Sequence, residues 1–387
     1  MAHPSTRSGK TKPPKPYPEF PLFPHATKRW AKKIRGKLHY FGPWTDWQGA
    51  LRRYLDEKDA LYAGRTPGPR SEGGPTIREL LNRFLGAKER LVEAGELTPR
   101  SFMDYQRTCD AIRDELGLDR LVANLTAEDF ERFRSRLAKR CGPVRHGNEV
   151  QRVRSTFKYA LDSGLIEKPV RFGPDFRKPS RRVLRKARHA SGERMFECEE
   201  LRRLIDFVGM PLKAMVLLGI NCAFGNNDCA TLSVTTLDLD SGWVRFPRPK
   251  TGIDRRCPLW PETVAALREA LALRPEPKAP EAKGMVFVTK PGASWAKITA
   301  MDNPVSKEFS KVLRAMKMYR KGRGFYAIRH TFETIAGESR DQVAVDHIMG
   351  HSREDMASVY RERISDERLR AVVEYVRTWL LVGEKRQ

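Results

Sequence analysis

The chain has 387 residues, 73 Lys or Arg against 48 Asp or Glu, and a formal charge of +25; its pI is about 10.0. Such a basic excess favours a phosphate backbone as partner, through attraction and counterion release. No apolar run is long enough to span a bilayer, and Met1-Ala2-His3-Pro4 followed by Ser, Arg and Lys is not of signal-peptide type. These features exclude a membrane partner and point to a cytoplasmic, nucleoid-associated protein of two or three domains.

Six cysteines (109, 141, 198, 222, 229 and 257) show no Cys-x-x-Cys spacing. They read as reduced thiols, so no metal site, disulfide frame or cofactor is expected.

Ten Lys or Arg against two acids fall in the first fifty residues. Residues 1–25, rich in Pro and Lys, read as a flexible arm. Arg29–Ile34 and Leu38–Phe41 then read as strands flanking Arg35-Gly36-Lys37, with Gly36 supplying the turn. Asp46 is placed to cap a helix whose apolar positions are Leu51, Tyr54, Leu55 and Leu61. This small sheet and helix (1–63) is either a DNA-binding module or a basic hairpin that only solubilises the chain. Residues 64–75, rich in Gly, Pro, Arg and Ser, form a linker.

From Thr76 to Gly164 the pattern is helical. Thr76 and Glu79 have capping-box spacing ahead of Ile77, Leu80, Leu81, Phe84 and Leu85. Thr98-Pro99 starts a second helix through Phe102, Tyr105, Cys109, Ile112 and Leu116. Thr126 and Asp129 open a third, with Phe130, Phe133 and Leu137, and a fourth carries Val150, Val153, Phe157, Ala160 and Leu161. The apolar stripes are core. Arg152, Arg154 and Lys158 on the fourth helix read as an exposed basic face, either solvated or turned to DNA. Residues 165–194 follow as a basic linker, with eight Lys or Arg and one acid between Arg171 and Ala190. Pro174 and Pro179 there make it helix-poor in expectation.

The last stretch, 195–387, reads as a mixed α+β domain. Thr235–Leu239, Trp243–Phe246 and Arg255–Leu259 read as strands, joined by Asp240-Ser241-Gly242 and Lys250-Thr251-Gly252 turns. Arg329-His330-Thr331-Phe332 leads to Met349-Gly350-His351 and then to Tyr360. Ser352 is placed to cap a helix bearing Tyr360, with Glu354 and Asp355 in its first turn and Val359 beside the tyrosine. Ser365 is placed to cap a final helix with Leu369, Val372, Val373, Val376, Trp379 and Leu380 on one face.

Arginine and histidine, then Gly-His, then tyrosine nine residues later, resemble the active site of the tyrosine recombinase (phage integrase) family. The resemblance implies a multidomain fold: an N-terminal sheet-plus-helix arm module, an all-α core-binding domain and a mixed α+β catalytic domain. It implies a protein that binds double-stranded DNA as a multimer and recombines it through a 3′-phosphotyrosine. By that resemblance Tyr360 is the nucleophile, Arg329 the second catalytic arginine and His351 a phosphate donor. Lys250 protonates the leaving oxygen, Tyr326 replaces a histidine three residues before Arg329, and Asp228 is the acid after the first arginine. Arg35, Lys37, Arg152, Arg154 and Lys158 become DNA contacts, and the last helix either docks on a neighbouring protomer or packs on its own domain.

The first arginine is missing: aligning Asp228 with the family's acid puts Gly225 in its place, and Ala214–Val244 holds no Lys or Arg. Losing one donor of this kind costs about 2.7–4 kcal/mol, roughly a hundred to a thousandfold in rate. Asn226, Asn227, Arg245 or Arg248 are candidates to fill the gap. Two readings stay open, an active recombinase with an atypical site and an inactive relative that regulates or shapes DNA. A basic RNA-binding protein does not explain His351 and Tyr360, and a type IB topoisomerase shares the chemistry without the arm.

Overall fold

The computed structural model describes residues 12–62, 64, 74–296, 303–351 and 360–383. Contacts divide the chain into two units, one of Met1–Leu80, Gly117–Leu125 and Ala160–Val170, the other of Leu81–Leu116, Thr126–Tyr159 and Arg171–Gln387.

In the first unit, β1 (Phe23–His25), β2 (Arg29–Ile34) and β3 (Lys37–Pro43) form an antiparallel sheet in that order. Ile34 pairs with Lys37, so the turn is two residues long, and both Arg35 (φ 48°) and Gly36 (φ 82°) take positive φ. That conformation matches the twist of a hairpin and favours glycine at its second position. Helix α1 (Trp47–Tyr62) begins where Asp46 Oδ1 accepts from Gly49 N at 2.8 Å. Phe20, Leu22, Trp30, Ile34, Phe41, Ala50, Tyr54 and Leu61 form the core of this module.

Two expectations for it are corrected. Part of the supposed arm is structured: Phe20 and Leu22 are buried, and Phe20 meets Trp30 edge-on at 4.9 Å. Burying such a side chain contributes about 1.5–3 kcal/mol, which outweighs the Pro-rich composition around it. Residues 1–11 lie outside the described residues. Leu55, expected on the apolar face of α1, is exposed.

The helical part begins with α2 (Ile77–Glu93) and α3 (Pro99–Leu116), then α4 (Ala127–Arg140) and α5 (Pro143–Asp162). The expected capping box forms, Glu79 accepting from Thr76 N at 2.8 Å, and the helix start at Thr126 is closed in the same way, Asp129 accepting from Thr126 N at 2.8 Å. Within the second unit, Phe130 and Phe157 pack edge-on at 5.4 Å, and Phe172 and Phe176 join them. The 165–194 stretch is therefore not the helix-poor linker of the sequence reading. Phe176 is fully buried, and Arg181–Ala190 forms α6, started by Ser180 accepting from Val183 N. Pro179 precedes the cap and so interrupts nothing.

The C-terminal part centres on α8 (Leu212–Asn221), which is buried over nearly all its length. Around it stand α7 (Cys198–Phe207), α9 (Asn226–Ala230), α10 (Pro261–Ala272), α11 (Pro304–Ala315), α12 (Tyr326–Gly337), α13 (Gln342–Met349) and α14 (Asp366–Val382). Short strands β4 (Leu237–Asp238), β5 (Trp243–Arg245) and β6 (Arg256–Pro258) make a second antiparallel sheet in chain order. Gly219 lets α12 come close, since a Cβ there would lie 3.1 Å from Ile328. Asn221 pins the sheet to α8 by donating to Pro258 O and accepting from Trp260 N.

The six apolar residues of α14 are all buried in this single chain, against α7, α12, α13 and β6. Of the two readings of this stripe, the structure bears out packing on its own domain, which already covers all six side chains. Among the described residues, no helix is long and apolar enough to cross a membrane.

Candidate active site

Arg329 lies one residue from Ile328 on α12 and is carried into the core with it, leaving only 2% of its surface exposed. A buried guanidinium must spend its donors. Nη1 donates to Ala223 O at 2.6 Å, and Nη2 to Met349 O at 2.6 Å and to His351 Nε2 at 2.9 Å. Ala223 itself sits at φ 54°, a left-handed conformation that disfavours side chains. Burial, then the nearby Arg248 cation, pulls the Arg329 guanidinium down to about 10, still charged at neutral pH.

A guanidinium can only donate, so His351 Nε2 accepts, and the ring is neutral with its proton on Nδ1. Nδ1 faces Asp346 Oδ1 at 3.6 Å. Burial and the Arg329 charge both hold the His351 pKa below its ordinary value. Gly350 aims this histidine: at φ 63° it ends α13, and His351 N donates back to Asp346 O at 2.9 Å. A Cβ on Gly350 would also lie 3.0 Å from Arg248 Cβ, so the position excludes larger residues on two counts.

The opposite wall comes from α9 and the hairpin. Asp228 Oδ2 accepts from Gly225 N at 2.6 Å, closing the turn into α9. Its Oδ1 accepts from Arg255 Nη2 at 2.9 Å. Arg255 is 1% exposed, with Nε donating to Phe246 O at 2.7 Å and the guanidinium carbon 4.2 Å from the centre of the Phe224 ring. Arg248 donates from Nη1 to Gly350 O at 3.1 Å, while Arg245 turns outward to Asp254. Sequence reading weighed Arg245 and Arg248 and missed Arg255. The signal for it was strand alternation, which puts 255 on the same inward face as Cys257.

Arg329, His351 and Asp228 are thus drawn into one region, with Arg248 and Arg255. Tyr326 borders it: a Cβ at Gly225 would stand 3.2 Å from the Tyr326 ring. Lys250 is exposed at the hairpin turn, where Gly252 (φ 69°) donates to Arg248 O. Tyr360 is 77% exposed, and among the described residues no hydrogen bond ties it to the cluster. The expected helix cap at Ser352, with Glu354, Asp355 and Val359, lies outside the described residues. The thiols are bystanders: burial pushes Cys222 and Cys229 well above their usual range.

The basic residues expected to meet DNA are placed unevenly. Lys37 and Lys158 are exposed. Arg35 donates to Tyr62 O at the end of α1, and Arg154 donates to Phe176 O while stacking on Phe172. Arg152 is bound to Asp104 and Glu149, so the open face read from the sequence narrows there.

Among the described residues, no three His, Cys, Asp or Glu are grouped to hold a metal ion. The model of the phage integrase family matches residues 194–366. No curated protein matches the chain. A lambda integrase dimer bound to a COC′ core site is similar in structure over 92% of this chain and 99% of that one, with TM-score 0.57 and 14% identity. A lambda integrase tetramer bound to a Holliday junction gives 89% and 97%, TM-score 0.55 and 15% identity. A Tn1549 transposon integrase in complex with transposon right end DNA gives 78% and 100%, TM-score 0.56 and 12% identity.

Proposed function

We propose, from the premise that this chain belongs to the phage integrase family through residues 194–366, that it is a site-specific recombinase cutting and rejoining double-stranded DNA. Attack by the Tyr360 oxygen on phosphorus breaks the P–O5′ bond and leaves a 3′-phosphotyrosine. The tyrosine loses one proton and the 5′ oxygen gains one, so no water is consumed and the bond energy is kept for religation. Arg329 holds the non-bridging oxygens, and His351 joins it as a donor once the phosphate takes over the Arg329 Nη2 bond and the ring carries a proton on Nε2. Tyr326 adds a hydrogen bond, and Lys250 supplies the proton to the 5′ oxygen. Asp228 orders the wall opposite. The observation that carries the reading is the buried Arg329 bonded to His351, with Tyr360 nine residues further on.

The domain plan belongs to the same proposal: an arm module over 1–63, a linker over 64–75, a helical core-binding domain over 76–164, a basic segment over 165–194 and a catalytic domain over 195–387. Lys37 and Lys158, with Arg35 and Arg154, contact phosphates, and several protomers assemble on the DNA. Gly225 at the place of the first arginine favours a second reading, an inactive relative that binds DNA as a regulator or architectural factor.

A duplex selected by the full chain from a random-sequence pool, then nicked beside the bound site to trap the product, separates the two. The recombinase reading expects a protein–DNA adduct that survives denaturant. Sequence-specific binding with no adduct at any nick position would favour the regulator.

A further inference from the structure

We infer that Arg255 is a catalytic phosphate ligand, supplying from the hairpin the positive charge that Gly225 does not. The inference rests on the recombinase reading and deepens it at one residue. Three observations carry it.

First, the charge is already tied to the place where it is missing. One carboxylate, Asp228, holds the Gly225 amide with Oδ2 and the Arg255 guanidinium with Oδ1. Arg255 therefore stands one side chain away from the turn that lacks an arginine. A β-carbon at Gly350 would lie 3.4 Å from Arg255 Cδ, so the same side chain also flanks the residue that aims His351.

Second, Arg255 is incompletely satisfied. Nε and Nη2 have acceptors, but Nη1 is buried and has none among the described residues. A buried guanidinium nitrogen without an acceptor is uncommon, and a phosphate oxygen is the acceptor its planar fork fits best. Structural burial alone would be served by a fully paired arginine or by an apolar residue.

Third, the surroundings are built for an anion. Arg248 and Arg255 both act electrostatically on Arg329, with Asp228 the one carboxylate among the charges acting on it. Three guanidinium groups against one carboxylate leave a positive site that a phosphodiester neutralises. Gly225 allows this arrangement, because a side chain there starts 3.2 Å from the Tyr326 ring and 3.3 Å from Asp228 Oδ2.

A methylphosphonate interference scan tests it without requiring turnover. In the pool-selected duplex, each phosphate in turn is replaced by a neutral methylphosphonate, and binding is measured for wild type and Arg255→Met. The expectation is one phosphate whose neutralisation weakens wild type roughly tenfold or more, the scale of a charge-assisted hydrogen bond, and weakens Arg255→Met less than about threefold. Where an adduct forms, Arg255→Met slows it about a hundred to a thousandfold at that phosphate, and adding Gly225→Arg to Arg255→Met recovers part of the rate. Thermal melting checks the fold. If Arg255→Met does not fold, Arg255→Lys keeps a cation beside Asp228 but loses the fork, and the same reduced sensitivity at that phosphate is expected. Identical interference profiles for wild type and the folded variant would overturn the inference. A changed profile with no adduct from wild type would keep Arg255 as a phosphate ligand and overturn the recombinase reading instead.

Discussion

Arg329 and Arg255 are both buried guanidinium groups, exposed by 2% and 1%, yet the chain brings them to the site by different routes. Arg329 comes from the interior of α12, and its partners Met349 O and His351 lie on the next helix and its cap. Those groups sit within about one helical hairpin of each other, so a fixed spacing in the sequence encodes the geometry. Arg255 precedes β6 and reaches Asp228 across a sheet that is pinned to α8 through Asn221. No local spacing encodes that pairing. The first wall of the site can be read as a motif, and the second has to be seen folded.

The largest expected effect removes what both walls share. Helix α14 packs on α12, α13 and β6, and Trp260 Nε1 donates to Val373 O. Its six buried apolar side chains contribute on the order of 1.5–3 kcal/mol each, a sum comparable to the whole stability of a domain. Deleting 365–387 should abolish cooperative unfolding in a thermal melt. A truncated chain that melts normally and loses only DNA-dependent multimers would return α14 to a role between protomers.

Next comes Arg329→Ala. It leaves the carbonyls of Ala223 and Met349 without their donor, costing about 1–3 kcal/mol for each unsatisfied group. In the proposed reaction it also removes a phosphate donor, worth roughly a hundred to a thousandfold in adduct rate. The two losses are measured separately, by melting and by single-turnover trapping. Lowered stability with an unchanged adduct rate would make Arg329 a purely structural residue and dissolve the comparison.

A subtler test is Gly350→Ala. The left-handed backbone at φ 63° costs an alanine about 1 kcal/mol, and its Cβ would press on Arg248. Stability should fall by about 1–2 kcal/mol, and the DNA-bound state should lose more, because His351 and Arg248 are both displaced. Equal behaviour of the variant and wild type in melting would remove the aiming role given to Gly350.

The smallest effect is acid sensitivity. Burial lowers the pKa of His330, His347 and His351 in the folded chain. The folded state then binds protons less readily than the unfolded state, whose histidines titrate near 6.5. Their contribution is present above about pH 6.5 and is lost as pH falls through the lower folded values. Melting temperature should decline from pH 7 towards pH 5, and His347→Asn should flatten that decline. A rise over the same interval would give the shifts the wrong sign.

The sequence made some levels legible and hid others. The capping box at Thr76, the helix start at Thr126, the Arg35-Gly36 turn and the apolar stripe of α14 are local patterns, and they fold as read. Phe20 and Leu22 were hidden because their proline neighbours set the composition while Trp30 and Trp47 set the packing. Helix α6 was hidden by two prolines that in fact precede its cap. At the site, Arg329 and His351 came from spacing, whereas Arg255 required the tertiary pairing of β6 with α8 and Asp228. Tyr360 was legible as a motif position, and its 77% exposure leaves it open to solvent, in keeping with the nucleophile role proposed for it.

In the proposed reaction Tyr360 carries the DNA. Digesting a trapped protein–DNA complex and sequencing the modified peptide by mass spectrometry tests it directly. A 3′-linked nucleotide on Tyr360 is expected, with no covalent complex from Tyr360→Phe under the same conditions. A nucleotide on any other residue, or a complex that forms equally well with Tyr360→Phe, would contradict it.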